Sequence, residues 1–133
     1  MIDYQVSGFT ALAVAIHDWV WRALGPTVAT DPRERAKRVL EEAIELAQAE
    51  GIPDREAIAV VNHVYRRPVG EPSQEAAGVG FCWIAYCEAK NFQGISLVIK
   101  ELERIDTPEM IENVRLKHDM KVQAGISMQR DHT

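Results

Sequence analysis

The sequence predicts an all-α protein, a bundle of five to six helices. Apolar residues recur at three- and four-residue intervals along most of the chain. No stretch alternates apolar and polar residues as a half-buried strand would. Proline and glycine punctuate the periodic runs, and the loops they mark are short, which suits neighbouring antiparallel helices. With 133 residues the chain reads as one domain over residues 1–123, followed by a polar tail over 124–133.

The first helix is expected over residues 4–24, centred on the run from Phe9 to Trp21. Gly25-Pro26 ends it, because glycine suits a left-handed cap and proline cannot continue a helix, and residues 26–30 then form a loop. Thr30 or Asp31 caps the second helix, with Pro32 in its first position. Gly51-Ile52-Pro53 stops that helix near Glu50, and Asp54 caps the third. Pro68 biases Arg67 away from helical geometry, so the segment from Arg66 to Gly70 is a break. Pro72 opens the fourth helix, which runs through Phe81-Cys82-Trp83-Ile84 to Lys90. Gly78 and Gly80 lie inside it, each about 1 kcal/mol worse than alanine in a helix, so something is expected to pack closely there. A turn over 91–94 leads to the fifth helix, from Ile95 to near Ile105. Thr107-Pro108 is a cap and first turn for the sixth, which ends near Gln123.

Composition narrows the function classes. A formal net charge of -5 argues against an electrostatically driven nucleic-acid partner. It leaves a phosphate substrate open, because a bound cation inverts the local charge. Cys82 and Cys87 point in different directions on a helix, so they read as thiols in a reducing cytoplasm. Met1-Ile2-Asp3-Tyr4 has no basic region ahead of an apolar one, and no apolar run approaches membrane-spanning length, so neither a signal peptide nor a membrane partner is expected. Short helices with broad apolar faces offer more hydrophobic surface than a lone bundle needs. A homodimer or homotetramer burying the fourth or fifth helix is expected.

The most informative stretch is the second helix. At about 100° per residue, Glu41, Glu42 and Glu45 share one face with Arg38, and Leu40, Ala43, Ile44, Leu46 and Ala47 fill most of the other side. Like charges at these spacings repel, so such a cluster is either a solvated acidic face or one used to hold a cation. Glu75 heads a row on the fourth helix that continues into Val79, Cys82 and Tyr86, which would place its carboxylate at the mouth of the core. An acid in a first helical turn is also favoured by the helix dipole alone. Facing inward carboxylates are how bundles build metal sites, and an oxygen-only set suits Mg²⁺ or Mn²⁺. Zinc fits poorly, because His17, His63, His118 and His132 do not cluster at ligand spacing.

The motif Glu41-Glu42-x-x-Glu45 followed by Glu75 at the start of a later helix resembles the all-α nucleoside triphosphate pyrophosphohydrolases, the MazG-like group. The resemblance spans about residues 4–121. It includes the aromatic segment from His17 to Trp21, the loop residues Arg66, Pro68, Gly70, Glu71 and Pro72 of a phage and bacterial subgroup, and a basic last helix over 105–121. It implies hydrolysis of a nucleoside triphosphate to the monophosphate and pyrophosphate. By resemblance Glu42, Glu45 and Glu75 would hold Mg²⁺, with Mn²⁺ as substitute, and Glu41 would orient or deprotonate the attacking water. The group writes Glu-x-x-Asp on its second metal helix, whereas this chain has Glu75-Ala76-Ala77-Gly78, so the fourth ligand is missing. Water, Asn62 or His63 would have to replace it, or the chain has lost catalysis. For the substrate, Trp19 or Trp21 would stack on a base, and Arg38, Lys100, Lys117 and Lys121 would hold phosphates. The rival readings are a non-catalytic module that binds a nucleotide or a protein, and a structural oligomer whose acidic face is merely solvated.

Overall fold

The computed structural model describes residues 7–131. Within them the chain is all-α: α1 (Ser7–Thr30), α2 (Pro32–Ala49), α3 (Asp54–Tyr65), α4 (Pro72–Lys90), α5 (Gly94–Ile105) and α6 (Pro108–Gln123), with no strand among the described residues. Residues 4–6, expected in the first helix, lie outside the described residues.

Local chemistry explains most boundaries. The Asp31 carboxylate accepts the Glu34 amide at 2.8 Å and so caps α2, while the Thr30 hydroxyl turns back to the Pro26 carbonyl. α2 closes with Gly51 at φ 81°, which lets the Ile52 amide reach the Ala47 carbonyl at 3.0 Å. Pro53, rather than Asp54, occupies the cap position of α3, and the Asp54 carboxylate accepts the Arg55 amide from inside the first turn. Pro72 and Pro108 sit in the first turns of α4 and α6, and the Thr107 hydroxyl accepts the Met110 amide at 3.2 Å.

α1 departs from expectation. Gly25, at φ 86° and ψ 167°, breaks the helix, but residues 26–30 resume it instead of forming a loop. Proline is at home in a first helical turn, where its missing N–H would have no partner anyway, so Pro26 starts the second stretch as readily as it stops the first. The break leaves the Arg22 and Ala23 carbonyls without their usual donors, Pro26 and Thr27. Arg115 on α6 supplies both, with Nη2 donating to the Arg22 carbonyl at 3.0 Å and Nε to the Ala23 carbonyl at 2.8 Å. The Thr27 amide and hydroxyl donate instead to the Asp131 carboxylate, each at 2.8 Å. Gly25 is required twice over. Its φ is left-handed, and a Cβ there would lie 2.6 Å from the Cβ of Asp131.

The chain forms two compact units, one grouping residues 1–38 with 98–133 and the other comprising 39–97. The first holds most of the core. Trp19, Ala23, Leu24 and Val28 of α1 are buried, with Val20, Leu102, Ile105, Ile111, Val114 and Met128 packed against them. The Trp19 indole N–H donates to the Ile105 carbonyl at 3.1 Å, closing the end of α5. Residues 124–131, read from sequence as a polar tail, contain no helix, yet they are tied into this unit through Met128, Arg130 and Asp131.

In the second unit Cys87 is the one buried apolar residue among those described. Trp83 and Cys87 close around Gly94, where an added Cβ would meet Trp83 at 3.1 Å and Cys87 Sγ at 3.4 Å. Beside Gly78 and Gly80, by contrast, an added Cβ would meet nothing within 4 Å, so no described residue makes the close packing expected there.

Arg115 is the repair of the α1 break, and its removal leaves two carbonyls without donors. Arg115→Ala should lower the unfolding free energy by about 2 kcal/mol in urea melts. Arg115→Lys should recover little of this, because an ammonium lacks the fork that spans two adjacent carbonyls. A wild-type midpoint in Arg115→Ala would show the kink to be held by other means.

Candidate functional site

α2 carries Glu41, Glu42 and Glu45 within one turn of each other. Glu41 is half-buried, and Glu42 and Glu45 are exposed. Glu75 lies in the first turn of α4 and is exposed. All four belong to the second unit. The Glu75 side chain folds back over the loop ahead of its own helix. A Cβ on Gly70 would overlap its carboxylate and lie 3.4 Å from its Cγ. The absence of a side chain at Gly70 therefore makes the space that this carboxylate occupies. Among the described residues no three His, Cys, Asp or Glu side chains are gathered so as to hold a metal ion.

Past this acidic face, Glu50, the residue just beyond α2, anchors the helix end. The Tyr86 hydroxyl donates to Glu50 Oε1 at 2.8 Å, and Lys90 Nζ pairs with the same oxygen at 3.0 Å. Phe92 stands edge-on to Tyr86, with the Lys90 ammonium 5.8 Å from its ring centre. The hydrogen bond from Tyr86, then that from Lys90, holds the Glu50 carboxyl below the usual carboxylate range. The same contacts raise the Tyr86 hydroxyl and the Lys90 ammonium above their ordinary values. This clasp ties the end of the helix bearing Glu41, Glu42 and Glu45 to the helix that begins with Glu75.

The residues expected to meet a nucleotide, Trp19, Arg38, Lys100, Lys117 and Lys121, all belong to the first unit. Lys100 and Lys117 are exposed, and Arg38 and Lys121 are half-buried. Trp19 is 6% exposed and spends its N–H on the Ile105 carbonyl, so it serves the core rather than offering a face to a base. Trp21 is the exposed indole, at 46%, standing edge-on to His17. His63, which with Asn62 was considered as a substitute at the missing fourth ligand position, is not gathered with two other His, Cys, Asp or Glu side chains among the described residues.

Sequence reasoning did not place Arg35 in the candidate site. Its Nε and Nη2 are buried and take no hydrogen-bond partner among the described residues. Desolvation pulls its guanidinium below the usual value, opposed by Glu34. A cation held in this way is a candidate for an anion, and only its burial distinguishes it from the neighbouring Arg33 and Lys37.

No family model, curated protein or solved structure matches the chain. No described helix is long and apolar enough to cross a membrane.

The Glu50 clasp has a pH signature. A carboxyl whose folded-state pKa is depressed contributes stability that is complete above its unfolded pKa and is lost as pH falls through the folded value. Wild type should therefore melt above Glu50→Gln at pH 7, and the gap should close as pH is lowered through the carboxylate range. Coincident melting temperatures at pH 7 would mean that the clasp contributes nothing.

Proposed function

We propose that the chain is a divalent-cation-dependent nucleoside triphosphate pyrophosphohydrolase, converting a ribo- or deoxyribonucleoside triphosphate and water to the monophosphate and pyrophosphate. The observation that carries this reading is the placement of Glu41, Glu42 and Glu45 on one turn of α2, with Glu75 opening α4 in the same compact unit. The resemblance of that ordered motif to the MazG-like group supports it. The donor set fits Mg²⁺, being all carboxylate oxygen and largely exposed, with room for the waters this ion retains.

On this reading Glu42, Glu45 and Glu75 hold the cation, which when bound neutralises phosphate charge and favours in-line attack by water. Glu41, on the same turn, accepts a proton from that water. By the resemblance, Arg38, Lys100, Lys117 and Lys121 would contribute charge for the phosphates. Trp21 takes the stacking role that the burial of Trp19 denies it. Gly78 leaves the fourth ligand position to water. On this reading a triphosphate would complete the coordination of the cation, so cation and nucleotide would each improve the other's affinity.

A homodimer or homotetramer belongs to the same proposal. Ile58 (56%), Val61 (44%), Phe81 (77%) and Ile84 (58%) leave α3 and α4 with broad exposed apolar surface. The open space beside Gly78 and Gly80 would admit a close neighbour. A cytoplasmic location suits the reading. The second reading, a module that binds nucleotide without turnover, is favoured by Gly78 alone.

Incubation with a panel of ribo- and deoxyribonucleoside triphosphates and Mg²⁺ should release pyrophosphate, and Glu41→Gln should slow release by about 10²-fold or more. Saturable Mn²⁺ binding should tighten when a non-hydrolysable triphosphate is present and vanish in Glu45→Ala. Binding without turnover leaves the module reading standing, and no binding of either ligand leaves only a structural oligomer. Glu75→Gln should keep the wild-type melting temperature but weaken Mn²⁺ binding by roughly ten-fold, about 1.4 kcal/mol, since the amide removes one anionic ligand. Unchanged Mn²⁺ affinity would detach Glu75 from the site.

A further inference from the structure

We infer that the first unit contains a groove shaped to dock one extended segment, filled by residues 126–131 of this chain, and that this segment opens and closes as a single latch. The inference is independent of the catalytic reading.

Two buried side chains read the same residue of the segment. Glu34, 1% exposed in the first turn of α2, accepts the Met128 amide at 3.2 Å through Oε2. His118, 3% exposed on α6, lies with Nε2 at 2.8 Å from the Met128 carbonyl. A carbonyl only accepts, so Nε2 carries the proton. Both polar groups of Met128 are thereby held from opposite sides, by residues 84 positions apart, while its side chain packs against the buried α1 cluster. Two further contacts follow. Arg130 forms a two-pronged pair with Asp119 of α6, at 2.9 and 3.1 Å, and Asp131 caps the helical stretch that restarts after Gly25.

These contacts make a recognition site for a linear sequence rather than incidental packing. Each reads a different chemistry: a backbone unit, an apolar side chain, a guanidinium and a carboxylate at fixed spacing. The elements that read them, the two helical stretches of α1 together with α2 and α6, are helical. The segment itself has no internal helix or strand, so its conformation comes from the groove. Gly125, at φ 77°, closes the end of α6 and forms the turn from which the segment departs. Docking also leaves Glu34 Oε1 and Ser127 Oγ buried without a hydrogen-bond partner among the described residues. Opening the latch hydrates both, which lowers the cost of release and makes opening of the segment a lower-energy event than global unfolding.

Hydrogen exchange on the full chain tests this, because a latch couples two amides that share no contact. Met128→Ala removes the plug without touching Thr27, and Asp131→Ala removes the cap without touching Met128. In each variant the amides of residues 27 and 128 should both exchange roughly ten-fold faster or more, while amides of α3 and α4 keep wild-type rates. Exchange that changes only at the substituted end in both variants overturns the latch. A synthetic peptide of sequence Ile126 to Asp131 should bind Met128→Ala and restore slow Thr27 exchange, yet show no binding to wild type, whose groove is filled. Failure of the peptide to slow Thr27 exchange in either variant overturns the groove.

Discussion

The first unit depends on a break in one helix and on its repair from the other end of the sequence. Gly25 and Pro26 interrupt α1 where its buried face is richest, between Leu24 and Val28. An interrupted helix at the core exposes carbonyls and an amide that must find partners, because unpaired backbone groups away from water are costly. Arg115 takes the two carbonyls and Asp131 takes the amide. The bend is thus specified by residues about ninety to a hundred positions away. Once it is set, Trp19 faces the end of α5, and Leu24 and Val28 meet Met128 in one cluster. Gly25 is the permissive element and the two charged residues are the determining ones.

The two units solve the problem of stability differently. The first buries a cluster of large apolar residues and surrounds it with specific polar ties. The second buries Cys87 and leaves the apolar faces of α3 and α4 uncovered, with Glu50, Tyr86, Lys90 and Phe92 forming a surface clasp. Exposed ion pairs of that kind contribute little by themselves. On the proposed reading, large apolar residues at such exposure would be covered in an assembly. The carboxylates of the proposed site belong to the unit with this uncovered surface, so assembly and site formation would be linked on that reading.

The helix boundaries were legible because they are written in local chemistry. Pro32, Pro72, Thr107, Pro108 and Gly51 act through contacts within a few residues, and reading them needs no knowledge of the rest of the fold. The restart at Pro26 was illegible because glycine followed by proline ends one helix by the same properties that begin another. What decides between these outcomes is Asp131, which carries no signal of its own in sequence. Segment 126–131 was read as a tail for the related reason that it has no periodicity. Its order comes from contacts with distant residues, among them Glu34, His118, Asp119 and Thr27, and a first-turn glutamate and an isolated histidine look ordinary on a helix.

The candidate site divides along the same line. Spacing on a helix fixes which side chains share a face, so the grouping of Glu41, Glu42 and Glu45 followed from sequence alone. Spacing says nothing about where a flexible carboxylate points when no ligand restrains it. Glu75 shows this: its position in the first turn of α4 was legible, whereas its orientation follows from the empty space at Gly70, a residue that reads simply as a loop breaker. The burial of Trp19 and the exposure of Trp21 could not be assigned from sequence, because residues two apart on a helix face nearly opposite ways and either could have been the inward one. The Ile105 carbonyl resolves it, since an indole N–H buried beside a helix end is held by the acceptor that end leaves free. On the proposed reading, convergence of carboxylates from two helices would belong to the cation-loaded state, and a sequence motif would record the residues that state requires without recording where they stand in its absence.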